Sequence, residues 1–310
     1  MLSISIVIVS YNSERFLKKN LDSLINQKRK FKKIVVVDNN SSDNSVNIIK
    51  SFKDVRIISL SKNSGYSAAV NMGIERSGSD IVVIANPDVY FAPDFAALTV
   101  EKFKNNEKLD ILSPLILRFE EGIVDSAGQY KSLSLFPVEK GFGRELKKIK
   151  IEETEIFSVC GAVTVFKRES LQKLIIGKEY YDESFFLFWE DFDIGWRANL
   201  FKMKIKFFPD IVAYHYRSGT MKKNFITKLS FSLGRPSEIK FHLIKNRYMT
   251  LIKNFRLKED WFHIPFILIK DIVWVGMLTL SSPKIIIKFY KFPFFFRESY
   301  KKRKIIKENE

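Results

Sequence analysis

Along the first 90 residues, short apolar runs alternate with stretches in which apolar residues recur every three or four positions. The runs at 4–10 (ISIVIVS), 34–37 (IVVV), 55–59 (VRIIS) and 81–84 (IVVI) have the length and β-branched content of buried strands. Between them, Phe16, Leu17, Leu21, Leu24 and Ile25 fall on one face of a helix that Ser13 is placed to cap. Residues 46–52 supply a helical turn or two, and the small-residue stretch 68–74 (AAVNMGI) a third helix. Strands alternating with helices of this size predict βαβ units and a mainly parallel sheet, an α/β fold of Rossmann-like type. Further on, the pattern predicts a helix at 93–103 opened by Pro93, extended chain at 109–119, and an aperiodic Gly-, Ser- and Lys-containing loop at 120–150. Residues 158–166 again read as a strand, interrupted by Cys160-Gly161-Ala162. A helix starts near Trp189, and a last strand ends at His215.

The polar residues between these elements are not scattered. Tyr11-Asn12, the run Asp38 to Asp43, Asn63 to Gly65, and Asn86 to Asp88 each directly follow a predicted strand. In a parallel sheet all four lie on one edge, and the crevice beyond the carboxyl ends of the strands is where open α/β sheets bind ligands. Asp88 stands just past the strand at 81–84, behind the Asn86-Pro87 stop. No GxGxxG follows the first strand and no Walker loop is present, so neither a classical dinucleotide fold nor a P-loop NTPase is supported.

The sequences IVIVSYN ending at Asn12, VDNNSSD ending at Asp43, NSGYSAAVN from Asn63 to Asn71, and ANPDV around Asp88 resemble family 2 glycosyltransferases of GT-A fold. Their combination is similar to the rhamnosyltransferase-like branch, and the resemblance runs over about residues 4–216. It implies a nucleotide-sugar donor, dTDP- or UDP-linked, with rhamnose as the sugar suggested by the branch. It places Tyr11, Asn12 and Asp38 on the donor side, with Tyr11 and Asp38 against the base; a carboxylate there accepts from a pyrimidine ring N–H. Asn63 and Gly65 fall near the sugar and diphosphate, where a residue without Cβ permits close backbone approach. Many relatives carry an acid-x-acid motif where this chain has Asn86-Pro87-Asp88, so Asp88 is left to hold a divalent Mn²⁺ or Mg²⁺.

A second centre lies later in the chain. The resemblance puts Gly161 and Ala162 on the acceptor side and makes Asp191, the second acid of Trp189-Glu190-Asp191, the general base. Trp189 offers a face to a sugar, and Glu190 joins Asp191 at the mouth of a pocket. On a helix beginning there, Asp193 and Arg197 are spaced to pair, and Asp191 sits in the first turn, where the helix dipole favours its charge. Inverting transfer needs one carboxylate to take the acceptor hydroxyl's proton, so no second catalytic carboxylate is required. A lone His ending a strand is ordinarily structural, but His215 occupies the family's metal-ligand slot; Arg217 and Ser218 are further phosphate contacts. Cys160 reads as a small buried residue rather than a nucleophile.

Composition changes the picture mainly at the end of the chain. With 310 residues, 46% of them hydrophobic, the chain can bury a full core, and its single Cys excludes an internal disulfide. The net charge of +17 is uneven: residues 217–310 hold 21 Lys and Arg against 7 Asp and Glu, residues 1–216 hold 31 against 28. We therefore divide the chain into a catalytic domain at 1–218 (nucleotide-sugar half 1–118, acceptor half 119–218) and a basic, aromatic helical extension at 219–310. Residues 239–251 are expected to pack on the catalytic domain. Residues 261–281 approach bilayer-spanning length but contain His263, Pro265, Lys270 and Asp271, which fits an interfacial helix better. Aromatics at 289–296 beside Lys301 to Lys304 suit anionic headgroups. No secretory signal is seen and no nucleic-acid reader motif is visible, so the expected setting is cytoplasmic, peripheral on the inner face of the membrane, with a glycan or lipid-linked acceptor. Two alternatives stay open. A sugar-nucleotide nucleotidyltransferase is expected to show a Gly-rich basic loop after the first strand, which Tyr11-Asn12-Ser13 is not. A non-catalytic nucleotide- or membrane-binding protein is allowed by Asn86.

Overall fold

A computed structural model of the chain describes residues 2–217 and 233–310; Ser218 lies outside them. The first half runs β1 (Ile4–Ser10), α1 (Glu14–Ile25), β2 (Lys33–Asp38), α2 (Ser45–Lys50), β3 (Val55–Ser59), α3 (Tyr66–Ser77), β4 (Ile81–Ala85), β5 (Val89–Phe91), α4 (Phe95–Asn105) and β6 (Ile111–Arg118). The sheet order is β10 (Thr154–Glu155), β12 (Ile205–His215), β6, β11 (Val163–Lys167), β4, β1, β2, β3, with β5 added to β12 and β7 (Val124–Ser126) to β6. Strands β4, β1, β2 and β3 are parallel neighbours, so their carboxyl ends share one edge, as the pattern predicted. The strands are two-sided. Ile4, Ile6 and Ile8 of β1 join Leu17, Leu21 and Phe95 on one face, while Val7 and Val9 meet Ala69, Val70 and Ile74 of α3 on the other. Continuous apolar runs are what a sheet covered by helices on both faces requires.

Two expectations change. Ser13 stands at the N-cap of α1, yet its hydroxyl donates to the Tyr11 carbonyl and caps no helix N–H. Residues 120–150 are not aperiodic: they hold β7 (Val124–Ser126), β8 (Gln129–Lys131) and β9 (Pro137–Glu139), the last two forming their own antiparallel pair. Strands of three residues are too short to leave a readable period.

The second half continues through β10 (Thr154–Glu155), β11 (Val163–Lys167), α5 (Arg168–Lys173), α6 (Glu190–Leu200) and β12 (Ile205–His215). Strand β11 runs antiparallel between β4 and β6 and joins the two halves of the sheet. The C-terminal residues form α7 (Ser237–Asn254), α8 (Leu257–Asp260), α9 (Ile264–Leu280), a 3₁₀ stretch at Pro283–Lys291, and α10 (Phe292–Asn309). These helices are anchored by buried charge. Lys253 of α7 lies 2.6 Å from Asp182 and 3.0 Å from Asp193 of α6, all fully enclosed, and Lys302 of α10 reaches Asp182 at 2.6 Å. Burial alone would raise the Asp182 carboxyl, but the ammonium groups of Lys253 and Lys302 hold it well below the usual carboxylate range. Removing one member of such a network typically destabilises by about 3–5 kcal/mol.

Candidate active site

The donor edge is braced loop against loop. Asn12, at positive φ, spends its side-chain oxygen on the Ser42 N–H at 2.8 Å, and its own N–H donates to Ser41 Oγ at 2.9 Å. Tyr11 is half exposed above this edge, with 50% of its surface open. Asp38 is buried at the end of β2; one oxygen accepts from Ser41 N–H at 3.1 Å and the other, Oδ1, has no protein partner. Asn63 Oδ1 accepts from Gly65 N–H at 2.9 Å and from Asn39 Nδ2 at 3.0 Å. Gly65 is required by the packing of two loops. At φ +88, a Cβ there would come within 2.7–2.9 Å of Phe186, including its backbone, so the close neighbour is the loop leading to α6.

Asn86 and Asp88 follow β4. The Asn86 N–H donates to the Ala162 carbonyl at 3.0 Å, which ties this loop directly to the Gly161-Ala162 segment. Asp88 meets the end of β12, since β5 and β12 pair antiparallel with His215 opposite Val89. Asp88 Oδ2 lies 3.3 Å from His215 Nε2, and Asp125 Oδ2 lies 2.8 Å from His215 Nδ1. Asp125 is fully buried and also receives Arg217 Nε at 2.6 Å. Burial of His215 opposes its protonation, but the two carboxylates overcome it and push the imidazole up to about 9 in this metal-free geometry. Asp88 and His215 thus turn one carboxylate oxygen and one ring nitrogen toward each other, and a second carboxylate fixes the ring. An imidazole and a carboxylate are groups of the kind that would serve a divalent ion, and a carboxylate behind the ring is the kind of support such a ligand would use. Among the described residues no group of three or more His, Cys, Asp or Glu side chains is placed to hold a metal ion. Asp88 and His215 are the two residues that would hold such an ion, and an ion held there would neutralise charge on a diphosphate.

Asp191 opens α6. Its Oδ2 accepts from Gly161 N–H at 2.8 Å and Gln129 Nε2 at 2.9 Å, and its Oδ1 accepts from Phe192 N–H at 2.8 Å. A Cβ on Gly161 would stand 3.2–3.3 Å from the Asp191 side chain, so the glycine lets the carboxylate lie against the strand end. Burial raises the Asp191 carboxyl, with those three donors opposing the rise. Neighbouring Glu190 is buried with Oε2 unpartnered, and burial together with the Asp191 charge raises it as well. Gln129 donates on to Glu139 at 2.8 Å, and Glu139 also receives the Ser126 hydroxyl; burial pushes Glu139 up to about 7. Cys160 is buried, and burial raises its thiol well above the ordinary value.

The approach to α6 is strained. Phe186, Phe188 and Trp189 all have positive φ, a conformation non-glycine residues adopt at about 1–2 kcal/mol each. Asn246 of α7 holds the turn, its amide reaching the carbonyls of Phe185 (2.9 Å), Leu187 (2.7 Å) and Phe188 (2.8 Å). Trp189 is buried against Phe136 and Phe192, at ring separations of 5.3 and 5.8 Å. Asp193 and Arg197 pair at 3.3 Å as the helical spacing predicted. Sequence reasoning passed over Asp125, Gln129, Glu139 and Asn246. The first three fall within 120–150, whose sequence carries no periodicity to mark them.

With strand order, metal-type pair and helix-borne carboxylate in place, the comparisons are decisive on family. The sequence profile of glycosyl transferase family 2 matches residues 5–175. The chain belongs to glycosyl transferase family 2. Its architecture is the GT-A fold. It is 26% identical over 211 residues to poly-β-1,6-N-acetyl-D-glucosamine synthase of Staphylococcus epidermidis and 24% identical to that of Staphylococcus aureus. Each match covers 66% of this chain and 48% of the relative, so the chain spans about half the length of the curated relatives it matches. Among solved structures, GalNAc-T7 with UDP, GalNAc and Mn²⁺ aligns at TM-score 0.62 and 17% identity, over 82% of this chain and 48% of that one. S. aureus TarS (residues 1–349) with UDP-GlcNAc aligns at TM-score 0.58 and 14% identity, over 99% and 91%. At these identities the structural likeness establishes the fold alone.

Proposed function

We propose that this glycosyltransferase moves a hexose, with inversion, from a UDP- or dTDP-linked donor to a glycan or lipid-linked acceptor in cell-surface polysaccharide synthesis. The observation that carries the reading is Asp191, a carboxylate at a helix N-terminus, oriented by three donors and raised by burial toward the working range of a general base. Asp191 takes the proton of the acceptor hydroxyl as that oxygen bonds to the anomeric carbon. On the opposite face the bond from that carbon to the diphosphate oxygen breaks, and the nucleoside diphosphate leaves. No covalent enzyme intermediate is involved.

On the donor side, Asp38 holds the base through the oxygen that has no protein partner, and Tyr11 covers it. Asn12, Asn63 and Gly65 shape the loops, and Asn86 ties the diphosphate end to the acceptor segment at Ala162. Asp88 and His215 would hold a Mn²⁺ or Mg²⁺, which when bound neutralises diphosphate charge. Rhamnose, from the Asn-Pro-Asp motif, and N-acetylglucosamine, from the names of the relatives, are the sugars to test first.

A membrane placement is supported by α9. The stretch Leu257–Leu280 has mean hydropathy 1.6 over a spanning-length window and only 22% of it is buried. Its outer face exposes Phe262, Phe266, Ile269, Ile272 and Val273, while Asp271 turns inward to Arg247 at 2.6 Å. Exposed Lys284, Lys291, Arg297, Lys301 and Lys304 follow. An apolar face flanked by cations matches the cytoplasmic surface of an anionic bilayer, with α9 lying in the interface.

The test is transfer from a nucleotide-sugar panel with Mn²⁺ present. Asp191→Asn is expected to bind donor normally and transfer nothing; unchanged turnover in this variant would sink the mechanism.

A further inference from the structure

Beside Asp191 lies a cavity of about 600 Å³ whose lining is mostly not polar. Gln129, Glu139 and Asp191 form its hydrogen-bonding end, Ser132, Ser134 and Lys270 add polar groups elsewhere, and Phe136, Trp189, Leu243 and Trp274 supply aromatic and aliphatic wall. The wall is built, not incidental. Phe136 stands edge-on to both Trp189 and Trp274, at 5.3 and 5.2 Å between ring centres, and Arg247 lies 3.9 Å from the Phe136 ring. A free sugar could stack one face on Trp189, but the remaining Phe136, Leu243 and Trp274 surface would take water from its hydroxyls without replacing those hydrogen bonds. An acceptor that is polar at one end only avoids that loss.

The source of the wall supports the same conclusion. Trp274 and Lys270 of the lining belong to α9, and within one or two residues of them, around the side of that helix, Ile269, Ile272 and Val273 are exposed. One helix therefore forms both a side of the cavity next to Asp191 and the apolar face assigned above to the membrane. Leu243 comes from α7, the helix whose Asn246 holds the turn before α6.

Resting on the transferase reading above, we infer that this cavity is an acceptor site for a sugar carried on an apolar chain. The hydroxyl-bearing end meets Asp191, and the chain runs along Phe136, Leu243 and Trp274 toward the membrane-facing side of α9. The cavity thereby selects a lipid-linked acceptor over a free glycan.

The test uses the whole chain and a matched pair of probes, decyl β-maltoside below its micelle concentration and maltose, with binding followed by calorimetry. The decyl compound is expected to bind at one site per chain, at least tenfold tighter than maltose. Trp274→Ala is expected to remove that advantage, while Ile272→Ser on the outer face of α9 keeps it. Equal binding of the two probes, or loss in Ile272→Ser but not in Trp274→Ala, overturns the inference. Kinetics separate it from the parent reading: transfer to methyl and decyl glycosides of one sugar with equal kcat/KM overturns the lipid-linked acceptor and leaves the transferase standing. Asp191→Asn is expected to keep decyl maltoside binding while losing transfer, so failure of that transfer result bears on the base alone. Equal loss of both acceptors in Trp274→Ala also overturns the inference.

Discussion

Asp125→Asn isolates the support of the metal-type pair. In the metal-free protein His215 is held between Asp125 at 2.8 Å and Asp88 at 3.3 Å, and its ionisation is pushed from 6.5 to about 9. A group whose folded pKa is raised stabilises the fold below its unfolded pKa and loses that contribution as pH rises through the folded value. Here about 3 kcal/mol is fully present below about pH 6.5 and is lost by about pH 9.5. Asn at 125 keeps the shape but removes one of the two charges, so about half of that pH-dependent part should remain. The variant should also be less stable at every pH, because Arg217 loses the carboxylate 2.6 Å away in a buried setting. Urea unfolding in EDTA at pH 6 and pH 9.5 measures the difference directly. Other groups titrating in that window, Glu139 among them, are common to both proteins and cancel in the comparison. With Mn²⁺ added, loss of the ring's carboxylate should weaken metal-dependent activity by about 10–100-fold. An identical drop in stability from pH 6 to 9.5 in both proteins would refute the reasoning.

Three further outcomes follow from the geometry. Gln129→Leu takes one of three donors from Asp191 and one from Glu139; it should lower kcat by about tenfold or more and move the acidic limb of the pH–rate profile upward. A fall in activity with an unmoved profile would make Gln129 a packing residue only. Asn246→Ala leaves the carbonyls of Phe185, Leu187 and Phe188 without their shared donor; it should destabilise by about 1–3 kcal/mol and reduce kcat more than it raises donor KM. Paired Ile269→Lys and Ile272→Lys substitutions on the exposed side of α9 should abolish flotation with anionic liposomes and leave the thermal midpoint within a few degrees. Undiminished flotation would reject the interfacial reading of that helix.

The sheet and its binding edge were legible because both follow from local pattern. Strands β1 to β4 are continuous apolar runs, and each ends in a polar cluster, so a parallel arrangement brings Tyr11, Asp38, Asn63 and Asp88 to one edge. Asp191 was legible for the same reason: it lies in the first turn of a helix whose Asp193 and Arg197 announce the register. Its supports were not. Gln129 is 62 positions from Asp191, Asp125 is 90 from His215, and Asn246 is 58 from Phe188. Each partner sits in a short strand or a long amphipathic helix where one polar residue is indistinguishable from a solvated one.

The sequence by itself determined the α/β alternation, the edge on which the polar clusters fall, and the basic, aromatic character of the last third. Those depend on periodicity and composition, which are properties of neighbours in the chain. Only the tertiary structure decided that Gly65 makes room for Phe186, and that Asp88 and His215 meet. It also decided that the C-terminal helices wall the cavity beside Asp191 as well as presenting an apolar face. These contacts arise where β11 and β12 cross back into the sheet and α7 closes over α6, and no local pattern encodes which side chains such crossings bring together.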